Sequence, residues 1–390
     1  MTSSQAPGSL SVLFAGGGTT GHISPLLAIA DDLRYQDPEA RLTVLGTPEG
    51  LETRLVPEAG YDLVTIDKVP MPRSLDTSLV RFPGKLLGTI TRVRKLIRER
   101  DVDVVVGVGG YVSTPAYLAA RLTGTPIVIH EANAHPGMAN KLGARFTPPE
   151  RIGFAFAGTP LPGEHVGMPM RAAIEHLDRR DPATREAAAR HLGLDPALPT
   201  IIVTGGSLGA QTINDAMLGA MEDISSAGVQ VLHITGRGKG EDLRAAAAGQ
   251  PHYHVVDYVD GMENVYLAAD LLVCRAGAGT VAEVSVMCVP AVYVPLAIGN
   301  GEQRLNASSA VKAGAATMVA NADFTAEHVR TSVLPLVTNP AQLEAMERAA
   351  EALDFPLAAA RTMVGKIFAA AGRPHPARAY PAHLLTKKER

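Results

Sequence analysis

The pattern that most constrains the fold is a short apolar run followed by a glycine-rich turn and an amphipathic stretch. It occurs in residues 11–33 and 101–130 of the first half of the chain, and again in residues 200–221 and 269–295 of the second half. The apolar runs are short and rich in β-branched side chains, which is typical of buried parallel strands in βαβ units. We therefore predict two doubly wound α/β domains of similar plan.

Proline and glycine cluster in residues 158–171, and we predict the domain boundary there. The N-terminal domain is then 1–166 and the C-terminal domain is 167–356. Residues 373–390 contain three prolines and no apolar periodicity, so we expect them to form a disordered tail.

Composition argues against several classes of protein. Lys and Arg total 36 against 39 Asp and Glu, so a globally basic nucleic-acid binder is not expected. Two cysteines argue against a disulfide scaffold and fit a reducing compartment. The histidines show no zinc-binding spacing, and the Asp101–Asp103 pair opens its strand, away from the ligand edge. We therefore predict no metal site.

The first glycine-rich turn, Gly16–His22, follows a strand and opens a helix. Glycines let backbone amides approach an anion, and the helix N-terminus adds a partial positive charge. The same helix end disfavours a protonated imidazole, so His22 is placed to act as a general base. A nicotinamide site would need an acidic residue at the end of the next strand, but Thr47 and Pro48 stand there.

Further glycine-rich turns in the second half also lie between a strand and a helix N-terminus. Ser207 adds a hydroxyl donor to the turn 205–210, and the turn that ends at Thr280 can present amides to a diphosphate. Glu283 follows about one helical turn later, where a carboxylate can take two ribose hydroxyls. Gln303 lies in a polar loop that runs into a helix and is a candidate reader of sugar hydroxyls.

A polar segment, residues 130–141, follows the strand that ends at His130. The carboxyl ends of parallel strands are where open α/β sheets bind ligands. His130, Glu131, Asn133 and Asn140 are therefore candidate ligand contacts.

In sequence and order, these motifs resemble the MurG family of N-acetylglucosamine transferases, which act on an undecaprenyl-linked cell-wall precursor, lipid I. The resemblance covers residues 11–370 and is carried by GGGTTGHISP, HEANAHPGMANKLG, GGSLGAQTIN, CRAGAGTVAEV and GEQRLNASSAVKAGAA. It implies a GT-B fold: two Rossmann-like doubly wound domains with a cleft between them. It also implies that a last helix, 357–372, returns to the N-terminal domain.

The resemblance further implies an inverting, metal-independent transfer without a cofactor. N-acetylglucosamine would move from UDP-GlcNAc to the 4-hydroxyl of the muramoyl sugar of lipid I, giving lipid II for peptidoglycan synthesis. His22 would be the catalytic base, and Tyr111, His130, Glu131 and Asn140 would lie on the acceptor side. The implied donor contacts are Thr19, Thr20, Gly21, Asn133, Arg171, Ser207, Val259, Ala278, Gly279, Thr280, Val281, Ala282, Glu283 and Gln303. The chain departs from the family pattern at Ala132, Met168, Leu208 and Glu302.

Because a polyprenyl-linked acceptor stays in the bilayer, the resemblance implies a peripheral protein on the cytoplasmic face of the bacterial cell membrane, near other cell-wall synthesis proteins. Residues 68–100 carry nine Lys or Arg against two acids. Residues 89–100 have helical spacing and should pack on the sheet. Prolines and a glycine interrupt 69–87, which should leave apolar residues on loops. We therefore predict contact with an anionic membrane surface at 69–87.

Several alternatives stay open. A UDP-N-acetylglucosamine epimerase or a diacylglycerol glycosyltransferase would share the fold, and the epimerase would need no membrane-facing surface. From another class, a nicotinamide-dependent dehydrogenase would need the missing acid after Gly46. A catalytically inactive sugar-nucleotide-binding protein is disfavoured because His22, Glu283 and Gln303 occur together.

Overall fold

The chain forms two compact units, each built on its own sheet. The structure is a computed structural model that describes residues 9–68, 77–206, 209–296, 301–376, 378–382, 385–386 and 389, with the backbone alone for 77–82. The division falls between Arg171 and Ala172, and the chain returns to the first unit at Pro356. The boundary predicted after residue 166 is therefore displaced toward the C-terminus, to Arg171.

The first unit contains a seven-stranded parallel sheet. Its strands are β1 (Ser11–Gly16), β2 (Arg41–Gly46), β3 (Asp62–Thr65), β4 (Val104–Gly109), β5 (Ile127–Glu131), β6 (Ile152–Phe154) and β7 (Glu164–His165), in the order β3-β2-β1-β4-β5-β6-β7. Alternate residues of β1 enter different cores: Val12 and Phe14 pack in one cluster, and Leu13 and Ala15 in the other. Both faces of the sheet are therefore covered, as expected for a doubly wound domain.

In the described residues, five helices of this unit precede the domain boundary. They are α1 (Thr20–Gln36), α2 (Glu52–Glu58), α3 (Thr77–Glu99), α4 (Ser113–Thr123) and α5 (Met138–Ala144), with a 3₁₀ turn at Pro149–Arg151. Ile90, Val93 and Ile97 of α3 are buried against the sheet, which confirms the prediction for 89–100.

The prediction that proline and glycine break up residues 69–87 is wrong for the described part. Helix α3 runs through Pro83 without interruption. Proline removes one helical hydrogen bond and tends to kink a helix, but Pro83 and Gly84 are exposed, where a bend meets no packed neighbour. Residues 69–76 lie outside the described residues.

The second unit contains a six-stranded parallel sheet. Its strands are β8 (Thr200–Thr204), β9 (Gln230–Ile234), β10 (Tyr253–Val256), β11 (Leu271–Cys274), β12 (Ala291–Tyr293) and β13 (Ala316–Met318), in the order β10-β9-β8-β11-β12-β13. Its helices are α6 (Ala172–Glu175), α7 (Pro182–His191), α8 (Gln211–Gly219), α9 (Met221–Ser226), α10 (Glu241–Ala247), α11 (Met262–Ala268), α12 (Ala278–Val286), α13 (Glu302–Asn306), α14 (Ser308–Lys312), α15 (Ala326–His328), α16 (Leu334–Val337) and α17 (Pro340–Ala352), with a π-helical turn at Val329–Val333. The predicted fold class, two Rossmann-like units, is confirmed.

The last helix, α18 (Ala359–Ala370), belongs to the first unit, as predicted. Its buried face joins the core beneath α1 through Met363, Ile367 and Phe368. None of the helices in the described part of the chain is long and apolar enough to cross a membrane.

The described residues of 373–380, which the sequence analysis expects in a disordered tail, make specific contacts with the first unit. Arg373 pairs with Asp103 at 3.1 Å, and the Tyr380 ring stacks on Tyr35 with 5.1 Å between centroids. The Tyr380 hydroxyl also donates to Asp32 of α1 at 3.0 Å. Aromatic and charged contacts hold this segment in place without the apolar periodicity that the sequence analysis required.

Candidate active site

Each sheet has one point where the strand order reverses, and the glycine-rich turns lie at these points. In the first unit the reversal is between β1 and β4, and in the second it is between β8 and β11. A crevice forms at the carboxyl ends of such neighbouring strands because their connections leave in opposite directions. The turns that follow β1 and β11 each lead directly into a helix N-terminus, as the sequence predicted.

His22 lies in the first turn of α1, half-buried, at the β1/β4 crevice. Its Nδ1 is 3.3 Å from the Gly17 carbonyl oxygen and 3.4 Å from Thr19 Oγ1. A carbonyl oxygen can only accept, so this bond requires a proton on Nδ1 and leaves the lone pair on Nε2. The Gly17 contact therefore favours the tautomer that a general base acting through Nε2 needs.

Two glycines at the end of β4 form the wall beside this imidazole. A Cβ on Gly109 would lie 3.1 Å from His22 Nε2, and a Cβ on Gly110 would lie 2.8 Å from the Gly17 carbonyl oxygen. Both residues have positive φ, +99° and +87°, a region that side chains disfavour. Glycine is thus required at both positions for the β4 turn to approach the His22 ring.

Glu52, at the start of α2, is a residue that the sequence analysis missed. Its side chain is fully buried beneath the first glycine-rich turn. Oε2 accepts the Gly18 amide at 2.9 Å, and Oε1 accepts the amide and the hydroxyl of Thr47, each at 2.8 Å. Burial alone would raise the pKa of Glu52, but these hydrogen bonds outweigh it and lower the pKa, so the group is a carboxylate.

The predicted acceptor-side residues His130, Glu131 and Asn140 are buried, with 0%, 2% and 1% of their surface exposed. Glu131 accepts the Gly137 amide at 3.0 Å and Asn140 Nδ2 at 2.9 Å, and Asn140 accepts the Tyr117 hydroxyl at 2.7 Å.

His130 donates from Nε2 to the Gly167 carbonyl at 2.9 Å, and burial lowers its pKa to about 4. All three side chains are therefore buried: Glu131 and Asn140 hold the loop 131–137, and His130 bonds the Gly167 carbonyl. The structure does not present them to an acceptor.

Tyr111 differs from the other predicted acceptor-side residues because 44% of its surface is exposed. The Lys68 ammonium lies 4.7 Å from the centre of its ring, a cation–π distance. Both residues line a cavity of about 130 Å³ next to Gly18, at the carboxyl edge of the first sheet. Tyr111 therefore stays a candidate for contact with the acceptor.

The remaining predicted contacts of the first unit lie at the same edge or at the unit boundary. Thr19 is exposed, and Thr20 and Gly21 are half-buried in the first turn of α1. Asn133 is half-buried and donates its amide to Glu131 at 2.9 Å. Arg171 is exposed as the last residue before the boundary.

Helix α12 carries the predicted diphosphate contacts of the second unit. A Cβ on Gly279 would meet no described atom within 4 Å, so no packing in the described part of the chain calls for glycine there. Ala278, Val281 and Ala282 are buried and can reach a ligand only through their backbone, whereas Thr280 is half-buried. The helix N-terminus and its open glycine suit a diphosphate.

Glu283 is half-buried in α12 and is oriented by a second residue that sequence reasoning missed. The Tyr266 hydroxyl donates to Glu283 Oε2 at 2.6 Å. Burial and the charge of Glu283 raise the pKa of Tyr266 well above its usual value, so its hydroxyl stays protonated and donates. A buried tyrosine in an apolar helix looks like core in a sequence, and nothing in the pattern pointed to this bond.

The other predicted donor contacts of the second unit are Gln303, at the start of α13, with Val259 and Ser207. Gln303 is half-buried and its Oε1 accepts the Leu296 amide at 2.9 Å, which leaves its Nε2 as the group to meet a sugar. Val259 is half-buried after β10, and Ser207 lies outside the described residues. Within the described ranges, no three His, Cys, Asp or Glu side chains are grouped as metal ligands.

Comparison with known proteins gives consistent findings for both units. Residues 12–149 match the glycosyltransferase family 28 N-terminal domain, and residues 200–362 match the glycosyltransferase family 28 C-terminal domain.

Two curated relatives are named UDP-N-acetylglucosamine--N-acetylmuramyl-(pentapeptide) pyrophosphoryl-undecaprenol N-acetylglucosamine transferase. The protein from Paenarthrobacter aurescens is 54% identical over 90% of this chain and 94% of its own length. The protein from Mycobacterium avium is 49% identical over 90% of this chain and 87% of its own. The crystal structure of Acinetobacter baumannii MurG is similar with a TM-score of 0.71 and 30% identity, covering 88% of this chain and 95% of that one.

Proposed function

This chain belongs to glycosyltransferase family 28 and, within it, to the MurG transferases, and from that membership we propose its reaction. The chain transfers N-acetylglucosamine from UDP-GlcNAc to the 4-hydroxyl of the muramoyl sugar of lipid I, which gives lipid II. The observation that carries the proposal is the 54% identity over 90% of the chain to a transferase with that name. The two crevices supply the groups that this chemistry needs.

His22 acts as the general base. Its Nδ1 is tied to the Gly17 carbonyl, so Nε2 takes the proton from the acceptor 4-hydroxyl as the oxygen attacks the anomeric carbon. The bond between that carbon and the diphosphate oxygen breaks, and the configuration inverts. Of the four predicted acceptor-side residues, Tyr111 alone is exposed, so it is the next candidate for the proton transfer.

The second unit holds the donor. The amides at the N-terminus of α12 receive the diphosphate and stabilise the charge that develops on UDP as it leaves, which makes a cation unnecessary. Glu283 takes the ribose hydroxyls and the Gln303 amide reads the sugar. The UDP-GlcNAc contacts predicted at Asn133 and Arg171 stay part of this proposal.

The test is a transfer assay with radiolabelled UDP-GlcNAc and a short-chain lipid I analogue. We expect labelled lipid II analogue with and without EDTA, and a turnover lowered roughly 100-fold in His22→Ala with UDP binding nearly unchanged by calorimetry. Tyr111→Phe measures the competing candidate. Failure of the wild type to form product would overturn the proposal, and release of UDP-N-acetylmannosamine without acceptor would identify an epimerase instead.

The chain docks peripherally on an anionic membrane through the N-terminal part of α3. Arg92 of this helix lies 3.8 Å from Asp67, just past the end of β3, so the N-terminal turns of α3 lie at the carboxyl edge of the sheet. There Lys85 is exposed and 64% of the Leu87 surface is in solvent. A cation near an anionic bilayer gains about 1 kcal/mol, and an inserted leucine adds apolar burial.

Co-sedimentation with phosphatidylglycerol vesicles tests this contact. We expect weaker binding by a Lys85→Glu, Leu87→Ser variant. A matched control is Arg121→Glu, Leu122→Ser, because Leu122 is similarly exposed (58%) but ends α4 at the amino edge of the sheet. If both variants sediment like the wild type, the contact lies elsewhere. Transfer to a water-soluble acceptor analogue should be intact in both.

A further inference from the structure

The Gly17–Gly18 peptide is bonded on both sides by side chains that are far apart in sequence. Its N–H, on Gly18, donates to Glu52 Oε2 at 2.9 Å. Its C=O, on Gly17, accepts from His22 Nδ1 at 3.3 Å. One peptide plane thus connects a buried carboxylate to the imidazole that the proposed function uses as its base.

A peptide between two glycines is the one most prone to flip, because neither residue has a Cβ to resist the rotation. Gly18 has φ of +90°, and a Cβ on Gly17 would lie 2.4 Å from Glu52 Oε1. A flip would break the bonds to Glu52 and to His22 at the same time. The carboxylate therefore holds the carbonyl oxygen toward His22.

The carboxylate also changes the strength of that carbonyl as an acceptor. A peptide whose N–H donates to an anion is polarised, and its oxygen accepts more strongly, because hydrogen bonds in a chain reinforce one another. The bond from His22 Nδ1–H is then favoured over the alternative tautomer. When Nε2 takes a proton, the ring becomes a cation, and the polarised peptide and the carboxylate behind it stabilise that charge.

The surroundings of Glu52 fit this role. Its two oxygens meet three donors, the Gly18 amide and the amide and hydroxyl of Thr47. Gly46 and Gly50 also press against the carboxylate, where a Cβ would approach its side-chain atoms within 2.6 and 1.9 Å. The charged residues Glu49 and Lys68 line the neighbouring cavity beside Gly17 and Gly18.

We propose that Glu52 is a positioning residue for His22 and acts through the Gly17–Gly18 peptide. This inference rests on the proposed function for the identity of the base. The arrangement is a carboxylate–peptide–imidazole relay, in which the peptide transmits the orientation and the charge of Glu52 without direct contact between the two side chains.

The decisive variant is Glu52→Gln, which keeps the size of the side chain but has one accepting oxygen for three donors. We expect the turnover number to fall about tenfold or more, with the Michaelis constant for UDP-GlcNAc within about threefold of wild type. In the same full-length protein labelled with ¹⁵N-histidine, the His22 signals, assigned by their loss in His22→Gln, should shift from the Nδ1–H tautomer toward a mixture.

The matched control is Thr53→Val. Thr53 lies next to Glu52 in α2, and its hydroxyl donates to the Gly50 carbonyl at 2.8 Å without touching the carboxylate. We expect this variant to retain wild-type turnover and an unchanged His22 tautomer, even if its melting temperature falls as far as that of Glu52→Gln.

An unchanged tautomer and turnover in folded Glu52→Gln would overturn the proposal, as would an equal loss of turnover in Thr53→Val. The His22 tautomer is measured without substrate, so it tests whether Glu52 acts on His22 even if the transfer assay fails. A shifted tautomer with no effect of His22→Ala on turnover would instead reject His22 as the base and keep the relay.

Discussion

Replacing Tyr266 with phenylalanine isolates the bond that orients Glu283. The tyrosine ring is 1% exposed, and its hydroxyl donates to Glu283 Oε2 at 2.6 Å. Phenylalanine keeps the buried ring and removes only this donor. Glu283 is half-buried, so water can replace part of the lost bond, but the carboxylate is held less firmly without the Tyr266 hydroxyl.

The expected loss of UDP affinity in Tyr266→Phe follows from two free-energy terms. A hydrogen bond to a charged group contributes about 1.5–3 kcal/mol, and partial rehydration of Glu283 brings the effect on folding to about 1 kcal/mol. Ordering one glutamate side chain on binding costs about 0.5–1.5 kcal/mol. We therefore expect the Kd for UDP to rise about three- to tenfold in Tyr266→Phe, less than in Glu283→Ala, which should lose tenfold or more.

Isothermal titration with UDP and UDP-GlcNAc measures this effect, and Tyr293→Phe is the control. Tyr293 is also fully buried, but no described group bonds its hydroxyl, so its removal should leave UDP binding unchanged and stability equal or higher. Wild-type affinity in Tyr266→Phe, or an equal loss in Tyr293→Phe, would show that this bond does not orient the ribose contact.

Two further predictions concern the β1/β4 crevice and the core of the second unit. Gly110→Ala places a Cβ 2.8 Å from the Gly17 carbonyl oxygen at a φ of +87°, so turnover should fall about 10- to 100-fold, measured in single-turnover assays. His233 is buried between Tyr253 and Asn214, and burial lowers its pKa to about 3. As the pH falls below about 6.5, His233 is protonated in the unfolded chain before it is protonated in the folded protein. The stability that neutral His233 contributes above pH 6.5 is therefore lost progressively toward pH 3. Urea unfolding at pH 7 and at pH 5 measures how far the free energy of unfolding falls between these two pH values. We expect this fall to be about 2 kcal/mol smaller in His233→Gln than in wild type.

The position of the site could be predicted from the sequence, because it follows from chain order. Apolar runs that alternate with helices predict parallel strands, and glycine turns mark their carboxyl ends, so the glycine-rich turns after β1 and β11 were expected, whereas the strand order that makes them crevices was not. His22 and Glu283 are candidates from the sequence because each stands within one turn of a glycine-rich segment. The return of α18 to the first unit was predicted only from the resemblance to a family.

What could not be predicted depends on burial and on contacts between distant residues. Glu52 is 34 positions from Gly18, and as a sequence it looks like any acid in a first helical turn. His130, Glu131 and Asn140 have the polarity of ligand contacts, but all three are buried in the fold: Glu131 and Asn140 hold a loop, and His130 bonds the Gly167 carbonyl. The sequence pattern predicts the strand end at which a residue lies, but it does not predict whether the side chain is buried or exposed there.

Glycine stands at position 17 and at position 279 for different physical reasons, and this difference gives a last prediction. Gly17 is glycine because Glu52 occupies the space of its Cβ, so the amide next to it already meets an internal anion. A Cβ on Gly279 would meet no described atom within 4 Å, and Gly279 lies inside α12, where alanine is the better helix former by about 1 kcal/mol. Gly279→Ala should therefore leave the ligand-free protein as stable as wild type or up to about 1 kcal/mol more stable, and yet weaken UDP binding, because the added methyl takes the space of the diphosphate. Gly17→Ala should do the opposite, with a lower melting temperature and little direct effect on UDP affinity. Thermal unfolding and UDP titration of both variants test the assignment; if Gly279→Ala binds UDP like wild type, the diphosphate does not lie on the N-terminus of α12.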